Sequence, residues 1–397
     1  MTVPFLNQDY SEELALRVKK VRAQMPTAHV DAVLVASSTN MFYMSGGIFR
    51  GYIYLDSNPD KSPLFLFISP SEAPDDSRCM QIHKPEHIAN RLSESGYGSP
   101  RRLGLEYGDM LCSDIERLKK CFPESEFADA SAVFRKARMT KTPYEIRAME
   151  RDGIHQAAAY SQVSHCYQED MTDLELQIEI ERVLRREGCL GFLRAAGSRM
   201  ELNLGSVLNG DNADNPSPYD FAMGGEGIDP SLPVGANGMT MRRGTVVMVD
   251  MNGGFNGYQT DMTRCWALGD VPEPAHKAHD CSRAILRELE RIGKPGVPIS
   301  ELYKRAVAMA EEAGLAAYFM GHRHKVRFIG HGVGIELNEM PVVMERNNDP
   351  LEENMTIALE PKFVIPHVGA VGVENTYQVT PEGLRNLTVF NEELSEL

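Results

Sequence analysis

Between Thr245 and Val379 the chain repeatedly sets one ionisable side chain inside a run that otherwise reads as buried strand. The first case is Thr245-Val-Val-Met-Val-Asp250-Met-Asn-Gly-Gly-Phe-Asn-Gly-Tyr-Gln-Thr-Asp261-Met-Thr-Arg-Cys-Trp266. Two β-rich runs flank a glycine-rich turn, which is the pattern of a hairpin, with Asp250 on the outgoing strand and Asp261 on the returning one. The second is Phe328-Ile-Gly-His331-Gly-Val-Gly, where small neighbours leave the imidazole open to a ligand or an ion. The third pairs Met355-Thr-Ile-Ala-Leu-Glu360-Pro-Lys with Gly369-Ala-Val-Gly-Val-Glu374-Asn-Thr-Tyr-Gln-Val379, two runs able to lie antiparallel. Taking a carboxylate out of water costs on the order of several kcal/mol, so a sheet interior normally excludes a lone one. Singly, each could be a surface residue on an edge hairpin or a structural histidine. Together, four carboxylates and one imidazole form an oxygen-rich ligand set suited to two divalent cations of the Mn, Co, Fe or Zn type.

Composition narrows the partners. The chain carries 41 basic and 56 acidic residues, a formal charge of −15, with no lysine- or arginine-rich run. That balance argues against nucleic acid or an anionic membrane as the main partner and leaves the excess carboxylates to solvated surface or to metal. The longest apolar runs, such as Leu64-Phe-Leu-Phe-Ile68, are too short to span a bilayer. Seven scattered cysteines with no Cys-x-x-Cys pair point to reduced thiols rather than a disulfide framework. Met1 to Asp9 has neither a basic nor a long apolar stretch, so no secretory leader is expected and the cytoplasm is the expected compartment.

At 397 residues the chain is long enough for two or three domains. The first third alternates helices and strands: a helix over Tyr10 to Met25, strands near Asp31–Ala36, Gly51–Leu55, Pro63–Ile68 and Arg102–Glu106, and helices near Lys84–Ser93 and Ser113–Lys120. This is an α/β layer pattern. The Thr142-Pro143 step breaks it, which places a domain boundary near residue 140. Glu145 opens a helix expected to run to about His165. A second helix, with Thr172 as N-cap and Gly188 as its stop, follows over Thr172–Glu187. Residues 205–240, rich in Gly, Asn, Asp and Pro, read as a long functional loop.

The order Asp250, Asp261, His331, Glu360, Glu374 resembles the pita-bread metallohydrolases, which include aminopeptidase P, prolidase and methionine aminopeptidase. The separations of 11, 29 and 14 positions, from Asp250 to Asp261, His331 to Glu360 and Glu360 to Glu374, are similar to the prolidase pattern. The segment Asp31-Ala-Val-Leu-Val-Ala-Ser-Ser-Thr-Asn40-Met-Phe-Tyr43-Met-Ser-Gly46 resembles the start of the creatinase/prolidase N-terminal domain, and Lys141-Thr-Pro-Tyr-Glu-Ile resembles the entry to the catalytic one. The resemblance implies an α/β creatinase-like domain over 1–140 and an α+β pita-bread catalytic domain over 141–397. It implies two divalent ions, Mn²⁺ or Co²⁺ first and Fe²⁺ or Zn²⁺ as alternatives, around a bridging water or hydroxide. Asp250 would bind one ion in bidentate fashion, Asp261 and Glu374 would bridge both, and His331 and Glu360 would complete the ligand set of the second ion, with Glu360 as catalytic proton shuttle. A homodimer is implied as well.

The substrate contacts depart from that pattern. Relatives usually carry a histidine in a Pro-His step before the first aspartate, and here none lies between Leu190 and Asp250. Two further family histidines correspond to Arg327 and Asn338, and a family arginine to Gly372. Arg327 and Asn338 become candidate substrate contacts, one for a carboxylate and one as an amide donor, although a surface ion pair and a turn residue are the bland alternatives. His322 and His324 could replace a missing imidazole, and Tyr219, in the Asn209–Gly227 loop, could wall the pocket. The expected activity is hydrolysis of a small peptide at an Xaa-Pro bond. A hydrolase or lyase acting on a non-peptide small molecule and a non-catalytic protein-binding module are the rivals.

Overall fold

The computed structural model describes residues 8–197, 203–219 and 221–397. Residues 1–7, most of the stretch read for a leader, and Asp220 in the glycine-rich loop lie outside it. The chain divides into two compact units, Met1–Arg138 and Met139–Leu397.

The first unit is built on six strands: β1 (Ala32–Val35), β2 (Gly51–Asp56), β3 (Leu64–Ile68), β4 (Cys79–Ile82), β5 (Arg102–Leu105) and β6 (Glu126–Asp129), in the spatial order β4-β3-β2-β1-β5-β6. β1 lies antiparallel to β2 and parallel to β5. β1 and β3 are buried along their whole length, as unbroken Ala-Val-Leu-Val and Leu-Phe-Leu-Phe-Ile runs require. Sequence periodicity misses β4 and β6 because their residues are mixed and only partly covered.

In the second unit, Thr142 caps the helix Pro143–Tyr160 through a capping box with Glu145. That helix stops at Tyr160, short of the expected His165. There the Ser161 hydroxyl donates to the Ala158 carbonyl at 2.7 Å, the local competition by which serine weakens helices. Thr172 and Glu175 form a second capping box at the head of Asp173–Arg186.

Four strands form one sheet of this unit: β7 (Gly205–Asn209), β8 (Thr245–Gly253), β9 (Thr260–Leu268) and β17 (Ser395–Glu396), ordered β17-β9-β8-β7. Thus part of the presumed 205–240 loop is a strand, its Ser206-Val207-Leu208 core masked in the sequence by flanking Gly and Asn. A second sheet contains β10 (Phe328–Gly332), β11 (Glu339–Met344), β12 (Thr356–Leu359), β15 (Asn375–Thr380) and β16 (Gly383–Asn386), ordered β11-β10-β12-β15-β16. β12 and β15 pair antiparallel as their sequences suggest. Between them, β13 (Lys362–Ile365) and β14 (Gly369–Gly372) form a hairpin.

Each sheet has its own apolar outer layer. Tyr160, Leu176, Ile180 and Leu184 from the two N-terminal helices pack with Val207, Val247, Val249 and Met251. The helices Glu273–Ile292 and Ile299–Glu312 supply Ile285, Leu286, Leu289, Leu302 and Ala306 to a core with Ile329, Ile357, Phe363 and Tyr377. Along Glu273–Ile292 the buried residues fall at 275, 278, 279, 282, 285, 286 and 289, one helical stripe. Among the described residues no helix is long and apolar enough to cross a membrane.

Candidate metal centre

In the β8–β9 ladder Asp250 stands opposite Thr263, and Asn252 opposite Asp261. Side chains alternate along a strand with a period of two, so all four share one face. The alternate positions Val249, Met251 and Met262 fill the apolar core behind it. The hairpin therefore presents a polar stripe and hides an apolar one, and its two aspartates converge without being directly opposed.

The other three residues come from the second sheet and its neighbour. His331 lies in β10, Glu360 directly follows β12, and Glu374 directly precedes β15. A bridge between Thr263 and Glu374, with the Glu374 amide donating to the Thr263 carbonyl at 3.2 Å, ties the two sheets at this point. Thr376 adds a second tie: its Oγ1 accepts from the Asp261 amide at 2.8 Å and donates to the Asp261 carbonyl at 3.0 Å.

The structure brings all five sequence-predicted ligands into one cluster. Ligand atoms of Asp261, His331 and Glu374 lie within 4.8 Å of one another, and so do those of Asp250, Glu360 and Glu374. His331 Nδ1 stands 3.0 Å from the Gly332 carbonyl oxygen. A carbonyl only accepts, so Nδ1 carries the proton and Nε2 presents its lone pair to the cluster. Nε2 is 3.7 Å from Asp261 Oδ2 and 3.9 Å from Glu360 Oε1. These gaps are too long for hydrogen bonds and suit atoms that would each approach one ion at about 2.0–2.2 Å.

Glu374 is divided between two roles. Its Oε2 accepts from Thr263 Oγ1 at 2.7 Å and from Lys362 Nζ at 2.9 Å. Its Oε1 is buried with no hydrogen-bond partner among the described residues. Burial pushes the Glu374 carboxyl up to about 8; Lys362 acts in the opposite direction, and Glu360 and Asp250 add to the rise. Burial, then the Glu374 and Asp250 charges, likewise hold Asp261 well above the usual carboxylate range. An orphaned carboxylate oxygen beside an imidazole lone pair and a second strained carboxylate is a donor set that fits a divalent cation.

The other half of the cluster is different. Lys362 is fully buried, and its ammonium donates to Asp250 Oδ2 at 2.8 Å, Glu360 Oε2 at 2.8 Å and Glu374 Oε2 at 2.9 Å. Burial works against its charge, but the Asp250, Glu360 and Glu374 carboxylates outweigh that and hold the amine well above its ordinary pKa. Sequence reasoning passed over Lys362, although the signal was present: it opens an otherwise apolar strand, Lys362-Phe-Val-Ile365, and is buried with it. Opposite Lys362 stands Gly372, at φ +148, where an added Cβ would come within 2.9 Å of the Pro361 carbonyl oxygen and 3.0 Å of Lys362 Cα. The chain has no room there for a side chain.

Above the cluster lies a cavity floored by Asp250, Asp261, His331 and Glu360 and walled by Leu204, Phe221, Met223, Val234, Phe328 and Leu337. The 210–240 segment supplies part of that wall. It is anchored by Asp173, whose buried carboxylate accepts from the Asn237 amide at 3.0 Å and the Gly238 amide at 2.8 Å. A second residue not foreseen, Asn252, also lines the cavity; it is buried, and neither amide atom has a partner among the described residues.

The predicted substrate contacts are dispersed. Asn338 reaches the cavity, but its Oδ1 accepts from the Ala196 amide at 2.7 Å and its Nδ2 donates to the Ala196 carbonyl at 3.3 Å, so it clamps a neighbouring loop. Arg327 is exposed, and the adjacent Phe328 takes the place on the cavity wall. Tyr219 and His324 line a neighbouring pocket instead. His322 faces Asp214 at 3.4 Å, outside the cluster.

Comparison with known proteins agrees with this architecture. The model of metallopeptidase family M24 matches residues 147–381, and that of the creatinase/prolidase N-terminal domain matches residues 17–140. An Xaa-Pro dipeptidase of Pyrococcus furiosus is 26% identical over 386 residues, which cover 95% of this chain and 99% of that one. Among solved structures, an Xaa-Pro dipeptidase from Bacillus anthracis superposes with a TM-score of 0.78 at 23% identity, covering 96% of this chain and 99% of that one. An X-Pro aminopeptidase from Thermotoga maritima gives 0.75 at 19% identity, with 94% and 100% covered.

Proposed function

The chain belongs to metallopeptidase family M24, and from that premise we propose that it hydrolyses small peptides at an Xaa-Pro bond. It is a metal-dependent peptidase; the bond cleaved and the residues assigned below are our reading. The observation that carries it is the unpartnered Glu374 Oε1, set beside Asp261 and His331 at the floor of an apolar-walled cavity.

Asp261, His331 and Glu374, with Glu360 beside them, would hold a divalent ion, manganese or cobalt first. Such an ion, when bound, polarises a carbonyl oxygen and lowers the pKa of water towards neutrality. Glu360 lines the cavity and, with one oxygen fixed on Lys362, keeps the other directed towards His331. It would take a proton on the cavity side and deliver it to the leaving nitrogen. A proline imide nitrogen has no hydrogen to satisfy, so the Phe221, Met223 and Val234 wall could receive the ring without a polar partner. Asn252, with its amide unspent, would orient the substrate's polar end. Cytoplasmic residence and a homodimer belong to the same reading, the first supported by seven free cysteines.

One observation favours a second reading, a non-peptide amide substrate: Asn338, which the family resemblance made a candidate substrate contact, is committed to the Ala196 backbone. One assay separates the two. The purified chain, stripped with chelator and reloaded with Mn²⁺ or Co²⁺, is offered Xaa-Pro dipeptides, Xaa-Pro tripeptides, matched peptides without proline, and small amides. Cleavage confined to Xaa-Pro bonds and abolished by chelation is expected, with the preferred peptide length separating dipeptidase from aminopeptidase. Turnover of the amides alone would transfer the site to the second reading, and no turnover of any peptide would overturn the first.

A further inference from the structure

Resting on the reading that this centre holds a divalent cation, we propose that Lys362 takes the place of a second one. The centre then operates with one divalent ion, held by Asp261, His331 and Glu374, and one ammonium, held by Asp250, Glu360 and Glu374.

The geometry is that of a completed site. A lysine ammonium has three N–H donors and no acceptor. Here its three nearest acceptors are three different carboxylates at 2.8, 2.8 and 2.9 Å. Those three residues are also the second of the two groups able to hold a cation. A divalent ion bound by the same oxygens would stand about 2.0–2.2 Å from each, and hence almost on top of Nζ. The two cannot coexist, so the ion must either expel the lysine or go elsewhere.

Expulsion is opposed by the packing. Lys362 is fully buried, and its backbone is held on both sides. It pairs with Gly372 across β13–β14, and its carbonyl accepts from the Met320 amide at 2.9 Å. The absence of a side chain at Gly372 is what lets the two strands close behind it. Of the Asp261–His331–Glu374 group only the shared Glu374 accepts a hydrogen bond from the ammonium, and its Oε1 has no partner among the described residues. The two halves of the cluster therefore differ in kind: one is satisfied by the chain itself, and the other is not.

The test is a metal count on the full-length chain. Wild-type protein and Lys362→Ala are stripped with chelator, titrated to saturation with Mn²⁺, dialysed against a low free concentration, and analysed by elemental analysis and by electron paramagnetic resonance. The expected wild-type result is one manganese per chain with the signal of an isolated ion. The variant is expected to take up two, twice the wild-type content, with the exchange-coupled signal of a close pair. Two manganese ions per wild-type chain, or a coupled pair in its spectrum, would overturn the inference while leaving the metal-dependent reading intact. A folded variant that stays at one ion would also overturn it. No bound manganese in either protein would overturn the metal-dependent reading and the inference together. If Lys362→Ala does not fold, the wild-type count and spectrum decide alone.

Discussion

Two buried glutamates, one in each unit, show how differently a fold can treat a carboxylate removed from water. Glu106, fully buried at the end of β5, receives donors from four groups: the Ala36 and Ser37 amides at 2.6 and 2.9 Å, and Ser37 Oγ and Asn40 Nδ2, both at 2.6 Å. Both oxygens are occupied, so Glu106 is architecture: it staples the turn after β1 to the neighbouring strand. Glu374 is as deeply buried, yet one oxygen is shared between a threonine and a lysine and the other has no partner among the described residues. Donors make the first carboxylate inert, and their shortage makes the second able to take a cation.

Asp152 stands between these extremes. It is buried, its Oδ2 accepts from the Phe255 amide at 3.4 Å, and its Oδ1 has no partner among the described residues. Burial pushes its carboxyl up to about 8, against the lowering effect of that amide and of Arg151. Donors, a proton and, on the function proposed above, a cation are thus three ways of settling a buried carboxylate.

The largest effect is expected at Glu374. Glu374→Gln preserves the shape and removes the charge, and should lower kcat/KM by at least about 10³, roughly 4 kcal/mol of transition-state stabilisation. Bound metal should fall with it, while far-ultraviolet circular dichroism stays unchanged. Activity within tenfold of wild type would place Glu374 with Glu106, as a structural group.

Glu106→Ala probes the other side of the comparison. It strands one buried donor, Asn40 Nδ2, and three part-buried ones; a buried donor left unsatisfied costs about 1–3 kcal/mol and such costs are not additive, so a local loss of about 3 kcal/mol is expected. Hydrogen exchange across residues 32–45 should accelerate accordingly. Protection lowered by less than about 1 kcal/mol would mean that the four bonds are not what stabilises this turn.

A third effect is expected at Asp152, and it appears as a pH dependence. Its folded pKa is raised above the unfolded value, so between about 4 and about 8 the folded state holds a proton that the unfolded state has released. The stability this contributes is complete below the unfolded pKa and is lost as pH rises through about 8. Asp152→Asn, which cannot titrate, should flatten the decline of Tm across that interval. An unchanged slope would assign the decline to other groups.

Much of this was legible from residue order because the signals are local. A strand buries every second residue, so a carboxylate in an apolar run is conspicuous wherever the strand ends up, and Asp250, Asp261, Glu360 and Glu374 all announce themselves in that way. The capping boxes at Thr142 and Thr172 are equally local, needing only a residue and its third neighbour. The family resemblance drew on the same ligand order, and the fold agrees with it.

What remained hidden depends on distant partners. Asn338 reads as a substrate donor until the chain brings Ala196 against both ends of its amide. Strand β7 is hidden by its composition and exists because β8 offers it an edge, with Ser206 set against Asp250. Lys362 is as conspicuous in its strand as the carboxylates are in theirs, but a charge in a sequence does not reveal which charges it will face. Sequence alone determined which side chains would have to leave water. Only the tertiary structure decided what meets each of them there, because desolvation is a property of the residue and its run, whereas compensation requires a partner delivered from elsewhere in the fold.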